Sequence, residues 1–211
     1  METWQAALLG LLQGVTEFLP VSSSGHLRVG SYFFGIEDPQ SLFDVGLHFG
    51  TLLVVIGFFW RDVVSLALAP FKTVLRLLSG ERWSVVAADP GLRGAWFVIL
   101  GSIPTGALGL LLGPHLEKAA GSMEFVAAMF LVNSVVLLSS RYLSLPLGGA
   151  RLNSGFRGMR WKDALVIGIA QGLSVTRGIS RSGSTISAAL ILGVDRETAG
   201  RYSFLLSIPA I

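Results

Sequence analysis

Glu17 is the one charged side chain between Glu2 and His26, and it is followed closely by Pro20, Ser22, Ser23, Ser24, Gly25 and His26. A carboxylate in an apolar segment costs on the order of 2.5 to 3.5 kcal/mol at the centre of a bilayer and is retained for a function. Gln13 lies one helical turn earlier, so the two side chains share a face. Pro20 ends that helix, and the residues after it present three hydroxyls and an imidazole on a turn that Gly25 permits. Capping of the next helix would explain one serine. It would not explain a carboxylate, three serines and a histidine together.

A second polar run supplies the opposite charge. Ser180-Arg181-Ser182-Gly183-Ser184-Thr185 combines hydroxyls with a guanidinium whose planar fork matches phosphate oxygens. Its backbone N–H groups are expected to open a helix over 186–192, and the whole reads as an anion cradle. Arg181 could also form an ion pair with Glu17, with a substrate joining the pair. Arg177 admits more than one reading, and His48 and His115, alone in sequence, read as structural.

The elements that carry these runs are legible from their repetition. Without a gap, Gln13-Gly14 matches Gln171-Gly172, Ser22 matches Ser180, and Ser24-Gly25 matches Ser182-Gly183; the match extends back to Gly10/Gly168 and Ala6/Ala164. This is a duplicated half. Polar, Gly-rich backbone at membrane depth is tolerated where it is buried in protein or lines a wet cavity, so the two copies are expected to face one another.

The composition agrees with membrane residence. The chain has 211 residues, 52% hydrophobic and 14% charged, with a mean hydropathy of +0.66. Apolar stretches at about 42–60, 95–113 and 125–140 approach the ~17 to 25 residues that cross a bilayer. No cysteine is present, which excludes thiolate chemistry and cysteine metal sites. The excess of Lys and Arg falls between Arg61 and Arg93 and between Arg141 and Asp163. That pattern excludes nucleic acid as the explanation of a basic chain and puts both segments in the cytoplasm. The hairpin tip at 115–124 and the acidic loop with Glu37 and Asp38 then lie outside. The segment 63–78 reads either as an amphipathic helix on the membrane surface or as a loop with a short buried helix.

With three crossings between them, the two copies enter the bilayer in opposite senses. The fold class is therefore an all-α polytopic membrane protein, an inverted-topology repeat whose two re-entrant helix-loop motifs meet at the midplane. The first repeat is expected over 1–145 with its re-entrant motif at 10–27, a cytoplasmic linker over 146–163, and the second repeat over 164–211 with its motif at 171–187. Ile211 falls opposite Leu53, so the second copy is expected to be truncated.

At these motifs the chain resembles the bacterial undecaprenyl-pyrophosphate phosphatases of the bacitracin-resistance type. The resemblance rests on Gln13-x-x-x-Glu17 running into Pro20-Val21-Ser22-Ser23-Ser24-Gly25-His26, and on Gly178-Ile179-Ser180-Arg181-Ser182-Gly183-Ser184-Thr185. The chain departs from the family pattern at Arg177, where proline is usual, and carries Gln13 where some members carry glutamate. The resemblance implies hydrolysis of a long-chain prenyl pyrophosphate lipid by a multi-pass protein of the bacterial inner (plasma) membrane. It implies a divalent cation, Mg²⁺ or Ca²⁺, on Gln13 and Glu17. It further implies phosphate binding by Ser22, Ser24, Ser180, Arg181, Ser182 and Thr185, with His26 as general acid or base and either Ser23 or a metal-bound water as nucleophile. Homo-oligomerisation stays open.

Two other classes compete. Acid-phosphatase-like lipid phosphatases need a histidine six residues after the motif arginine, and here that position is Ser187. A lipid-phosphate transporter or flippase would use the same inverted repeat and midplane anion site without cleaving a bond.

Overall fold

A computed structural model describes residues 1–36, 41–144 and 155–211, and its elements are helical, with no strand among the described residues. Helix α1, Thr3–Thr16, opens on a reciprocal box in which Glu2 and Gln5 satisfy one another's backbone N–H groups. It stops before the Glu17–Val21 turn, because the residue ahead of Pro20 is sterically pushed out of the helical region. Helix α2, Ser23–Phe33, starts on Ser22, a left-handed residue with φ 66° whose hydroxyl accepts the N–H of Gly25. Helices α3, Ser41–Phe58, and α4, Trp60–Leu78, meet at a bend of 79°. A short helix α5, Trp83–Val86, leads to α6, Pro90–Ala119, where Asp89 caps the first turn and Pro90 occupies a position needing no N–H. Helix α7, Met123–Ser144, runs back, and α8, Trp161–Leu173, α9, Arg181–Ile191, and α10, Arg196–Ser207, complete the set.

Helices α6 and α7 contain apolar stretches, Pro90–Leu116 and Met123–Ser144, long enough to cross a membrane, and the bent pair of α3 and α4 qualifies as a further broken span. The outer surface is largely apolar, and many polar side chains are buried beside the apolar core. Leu42, Phe58, Leu110 and Leu131 face outward, whereas Gln13, Asn133, Gln171, Thr185 and Ser203 are buried. Each of Trp4, Trp60, Trp83, Trp96 and Trp161 is more than half exposed, as suits rings that anchor at the two membrane interfaces. This is the surface of a membrane protein.

Several boundaries differ from the sequence expectation. The hairpin tip is Ala120–Ser122 rather than 115–124, because α6 continues through Pro104 and Pro114 to Ala119. The segment 63–78 belongs to a continuous helix, α4, whose Ala69 is buried with Val86, Leu92 and Ala95. The expected linker lies outside the described residues as far as Ser154, and so do Glu37 and Asp38.

The core forms where α6, α8, α9 and α10 meet, around Phe97, Ile167, Ala189, Tyr202, Leu205 and Leu206. Tyr202, fully buried, satisfies its hydroxyl on the carbonyl of Phe97 at 2.6 Å. Helices α6 and α8 cross backbone to backbone: a Cβ on Gly168 would stand 2.2 Å from the Gly101 carbonyl oxygen. Thr105 hydrogen-bonds the Gly168 carbonyl at 2.9 Å across the same crossing. Small residues allow this approach, and in a bilayer, close van der Waals packing replaces the hydrophobic drive between helices.

A shift of 158 positions carries Ser23–Phe33 onto Arg181–Ile191, the bounds of α2 and α9, and starts α1 where α8 starts. In both copies the serine before the second helix accepts the N–H of a glycine three residues on, Gly25 for Ser22 and Gly183 for Ser180.

Candidate active site

The two motif loops touch. A Cβ on Gly25 would lie 3.0 Å from the Cα of Gly178, so the first loop passes the second with no room for a side chain. Gly178 itself has φ 101°, a conformation glycine adopts without strain. Its N–H donates to Ser22 Oγ at 3.1 Å, which makes Ser22 at once the cap of α2 and a joint between the loops. Asn133 of α7 adds a second joint: its Oδ1 accepts the Ser180 N–H at 2.9 Å, and its Nδ2 donates to the Pro20 carbonyl at 3.2 Å.

This seam sets Glu17 opposite Arg181. The guanidinium donates to Glu17 Oε1 at 2.6 Å, while Gln13 Nε2 donates to Oε2 at 2.9 Å and the Ser23 hydroxyl donates to the same oxygen. The carboxylate is nearly closed off, with a side-chain exposure of 9%. In a medium of low dielectric, a charge pair survives only when its geometry is good and its remaining hydrogen-bonding capacity is met. Both conditions hold for Glu17.

The pair borders a cavity of about 700 Å³. Its polar lining includes Glu17, Ser22, Ser23, Ser24, Ser180, Arg181 and Ser182, and Phe49, Leu52 and Val55 of α3 give it an apolar wall. The sequence-predicted residues thus largely converge, with differences in detail. Helix α9 begins at Arg181 and not at Ile186, so the motif forms the helix start itself. Thr185 is fully buried, and its hydroxyl is occupied by the Arg181 and Ser182 carbonyls and by Ser203 Oγ. His26 rests its ring edge against Phe130, with Nδ1 2.8 Å from the Ser22 carbonyl, and it is not among the residues lining the cavity.

Sequence reasoning missed one side of the site. His48, read as structural, lines the cavity with Nε2 3.9 Å from Glu17 Oε2, and Asp44 lines it as the ion-pair partner of Arg177 at 3.4 Å. The signal was available: Asp44, His48 and Thr51 recur at helical spacing and form a polar stripe on an otherwise apolar helix. Asn133, a carboxamide within an apolar span, carried the same kind of signal.

The donor chemistry suits a hard divalent cation. The Gln13 Oε1 oxygen is buried without a hydrogen-bond partner, four residues from a carboxylate, so the donors around Glu17 are mainly oxygens, with the His48 imidazole as the nearby nitrogen. No group of three or more His, Asp or Glu assembles among the described residues. This fits ions such as Mg²⁺, which take one or two protein oxygens and complete their shell with substrate phosphates and water.

Comparison with known proteins adds an independent line. The pattern of the bacitracin resistance protein BacA family matches residues 6–211. An undecaprenyl-diphosphatase of Desulforapulum autotrophicum is 45% identical over 212 residues, covering 100% of this chain and 75% of that protein. Proteins of the same name from Desulfatibacillum aliphaticivorans and Methanosphaera stadtmanae are 43% and 42% identical, again over 100% of this chain and 75% of theirs.

Proposed function

The chain belongs to the bacitracin resistance protein BacA family, and from that premise we propose that it hydrolyses undecaprenyl pyrophosphate to undecaprenyl phosphate and inorganic phosphate. This returns the lipid carrier to cell-wall synthesis, in a multi-pass protein of the bacterial inner membrane. The observation that carries the chemistry is the contact of Arg181 with Glu17 at 2.6 Å, made between the two copies of the motif and bordering a cavity with an apolar wall.

In the free site Glu17 neutralises Arg181. An arriving terminal phosphate offers the planar Arg181 guanidinium a bidentate partner of higher charge, and the carboxylate is released as a base. Its hydrogen bond from Ser23 then defines the next step: the Ser23 oxygen attacks the terminal phosphorus, its proton passes to Glu17, and the bridging P–O bond breaks with its electrons leaving on the prenyl phosphate. Water then cleaves the phosphoserine. Arg181, with Ser180 and Ser182 beside it, stabilises the charge on the transferring group. His48, whose Nε2 lies 3.9 Å from Glu17 Oε2, would relay the proton taken from Ser23 through one water, while His26 holds the Ser22 carbonyl and so the shape of the loop. A divalent cation held by Glu17 and Gln13 would neutralise charge on the phosphate oxygens when bound. The prenyl tail runs along Phe49, Leu52 and Val55.

The repeat supports an inverted arrangement in which both motifs re-enter the membrane and the site opens outward, with the basic loops in the cytoplasm. Release of phosphate from a prenyl pyrophosphate by detergent-solubilised protein tests the activity, and a transporter would release none. Ser23→Ala tests the nucleophile. Loss of activity together with loss of a trappable phosphoenzyme is expected, and activity retained within about tenfold would move attack to a water.

A further inference from the structure

Two arginines line the cavity, and each faces its own carboxylate: Arg181 faces Glu17 at 2.6 Å, and Arg177 faces Asp44 at 3.4 Å. The second pair is the looser, and its carboxylate is the more open, at 29% side-chain exposure against 9% for Glu17. The proposed substrate carries two phosphates, and one guanidinium cannot neutralise both. Backbone donors of the second loop offer little more. The N–H groups of Gly178, Ile179, Ser180 and Gly183 are already taken by Ser22, Thr176, Asn133 and Ser180 respectively. The N–H groups of Arg181 and Ser182 remain at the start of α9, on the Arg181 side of the cavity, so the second arginine is the group left to face the other phosphate.

We infer, on the proposed hydrolase reading, that Arg177 binds the phosphate that remains on the lipid, and that Asp44 is its exchangeable counterion. Arg181, Glu17 and Ser23 surround the phosphate that is transferred. Arg177 sits four residues earlier on the same loop, and its partner Asp44 belongs to α3, the helix that also supplies Phe49, Leu52 and Val55 to the cavity wall. The Arg177–Asp44 pair thus connects the polar end of the site to its apolar wall, where the lipid-side phosphate must lie. Asp44 has two effects. It keeps Arg177 soluble and oriented in the empty site, and it competes with the retained phosphate, which favours departure of the monophosphate product.

This assignment separates from a purely structural tie by the sign of two substitutions. If the pair only fastened the loop to α3, Arg177→Gln and Asp44→Asn would break the same contact and change the kinetics in the same direction. As a ligand and its competitor, they act oppositely. Arg177→Gln should raise KM for a prenyl pyrophosphate about tenfold to a hundredfold, the worth of one charge-assisted contact, with kcat little changed. Asp44→Asn should lower KM and strengthen inhibition by the prenyl monophosphate, and Arg177→Lys should restore most of the affinity. Calorimetric titration of the solubilised protein with prenyl monophosphate reads the same contact without turnover, and Arg177→Gln should weaken that binding by a similar factor. Absence of phosphate release by the wild-type protein would count against hydrolysis alone. An unchanged Kd in Arg177→Gln, or parallel shifts in the two variants, would overturn the role of Arg177.

Discussion

Asn133 accepts the N–H of Ser180 at 2.9 Å from within the α7 span, and the same carboxamide donates to the Pro20 carbonyl at 3.2 Å. One side chain on a third helix therefore sets the separation of the two motif loops, and with it the meeting of Glu17 and Arg181. Leucine shares its branching at Cγ and can make neither bond. Asn133→Leu is expected to leave the Ser180 N–H buried and unpaired, at a cost of about 1 to 3 kcal/mol, and to lower kcat by loosening the helix start that presents Arg181. Thermal unfolding in detergent and phosphate release measure the two effects. Wild-type values for both would remove Asn133 from the site's support.

Arg181→Lys keeps the charge and discards the fork. A point charge cannot bridge two oxygens of a phosphoryl group, and loss of one transition-state contact costs about 2.7 to 4 kcal/mol, or ~100- to 1,000-fold in rate. The variant should fold, because Lys can still pair with Glu17. Glu17→Gln should be at least as damaging, since it removes the base and leaves Arg181 without its counterion. A rate within tenfold of wild type for either variant would contradict the roles assigned across the seam.

Removal of the divalent cation should stop turnover without unfolding the protein. Glu17 and Gln13 would give the ion few protein ligands, and Arg181 already compensates the carboxylate. Chelation is therefore expected to abolish phosphate release, readdition of Mg²⁺ or Ca²⁺ to restore it, and the unfolding temperature to move little. Turnover that persists in excess chelator would take the metal role away from Gln13 and Glu17.

The crossing of α6 and α8 has no space for a methyl group. A Cβ on Gly168 would meet the Gly101 carbonyl oxygen at 2.2 Å, whereas one on Gly106, on the same helix as Gly101, would meet nothing within 4 Å. Gly168→Ala should force the helices apart and cost about 1 to 3 kcal/mol, as overpacking does, and because Gln171, one turn further along α8, lines the cavity, activity should fall with it. Gly106→Ala should be neutral or slightly stabilising. Equal unfolding temperatures for the two variants would show that the crossing yields.

What the sequence made legible was its repetition and its misplaced polarity. The match at Ser22/Ser180 paired the two motifs, although the second helix was expected to start at Ile186 and starts at Arg181, and Glu17 and Arg181 stood out because charge is rare at that depth. Less legible were features decided by packing. The residue pairing of Thr185 with Ser203 depends on how α9 lies on α10, so a motif hydroxyl that read as a phosphate ligand is instead turned into the core. His26 was singled out by adjacency to the serines, yet α2 carries it toward Phe130, while His48 arrives at Glu17 from a helix more than 20 residues further on. Helix ends were displaced for a local reason: the span expected at 95–113 continues past Pro114 to Ala119, because a long apolar helix accommodates a proline without stopping when its neighbours hold it.

Sidedness offers a test of the whole arrangement that needs no activity. Ser79 and Gly121 are exposed residues at opposite ends of the α6 region, and between them runs the apolar stretch Pro90–Leu116. If that stretch crosses the membrane, the two must lie on opposite sides, and the Lys and Arg of the 61–93 segment put Ser79 in the cytoplasm. The chain has no native cysteine, so single cysteines report without background. Gly121→Cys should react with a membrane-impermeant maleimide in intact cells, and Ser79→Cys only after lysis. Reaction of both in intact cells would deny α6 its crossing. A reversed pattern would keep the crossing, overturn the charge reading, and place the opening of the Glu17–Arg181 site on the cytoplasmic face.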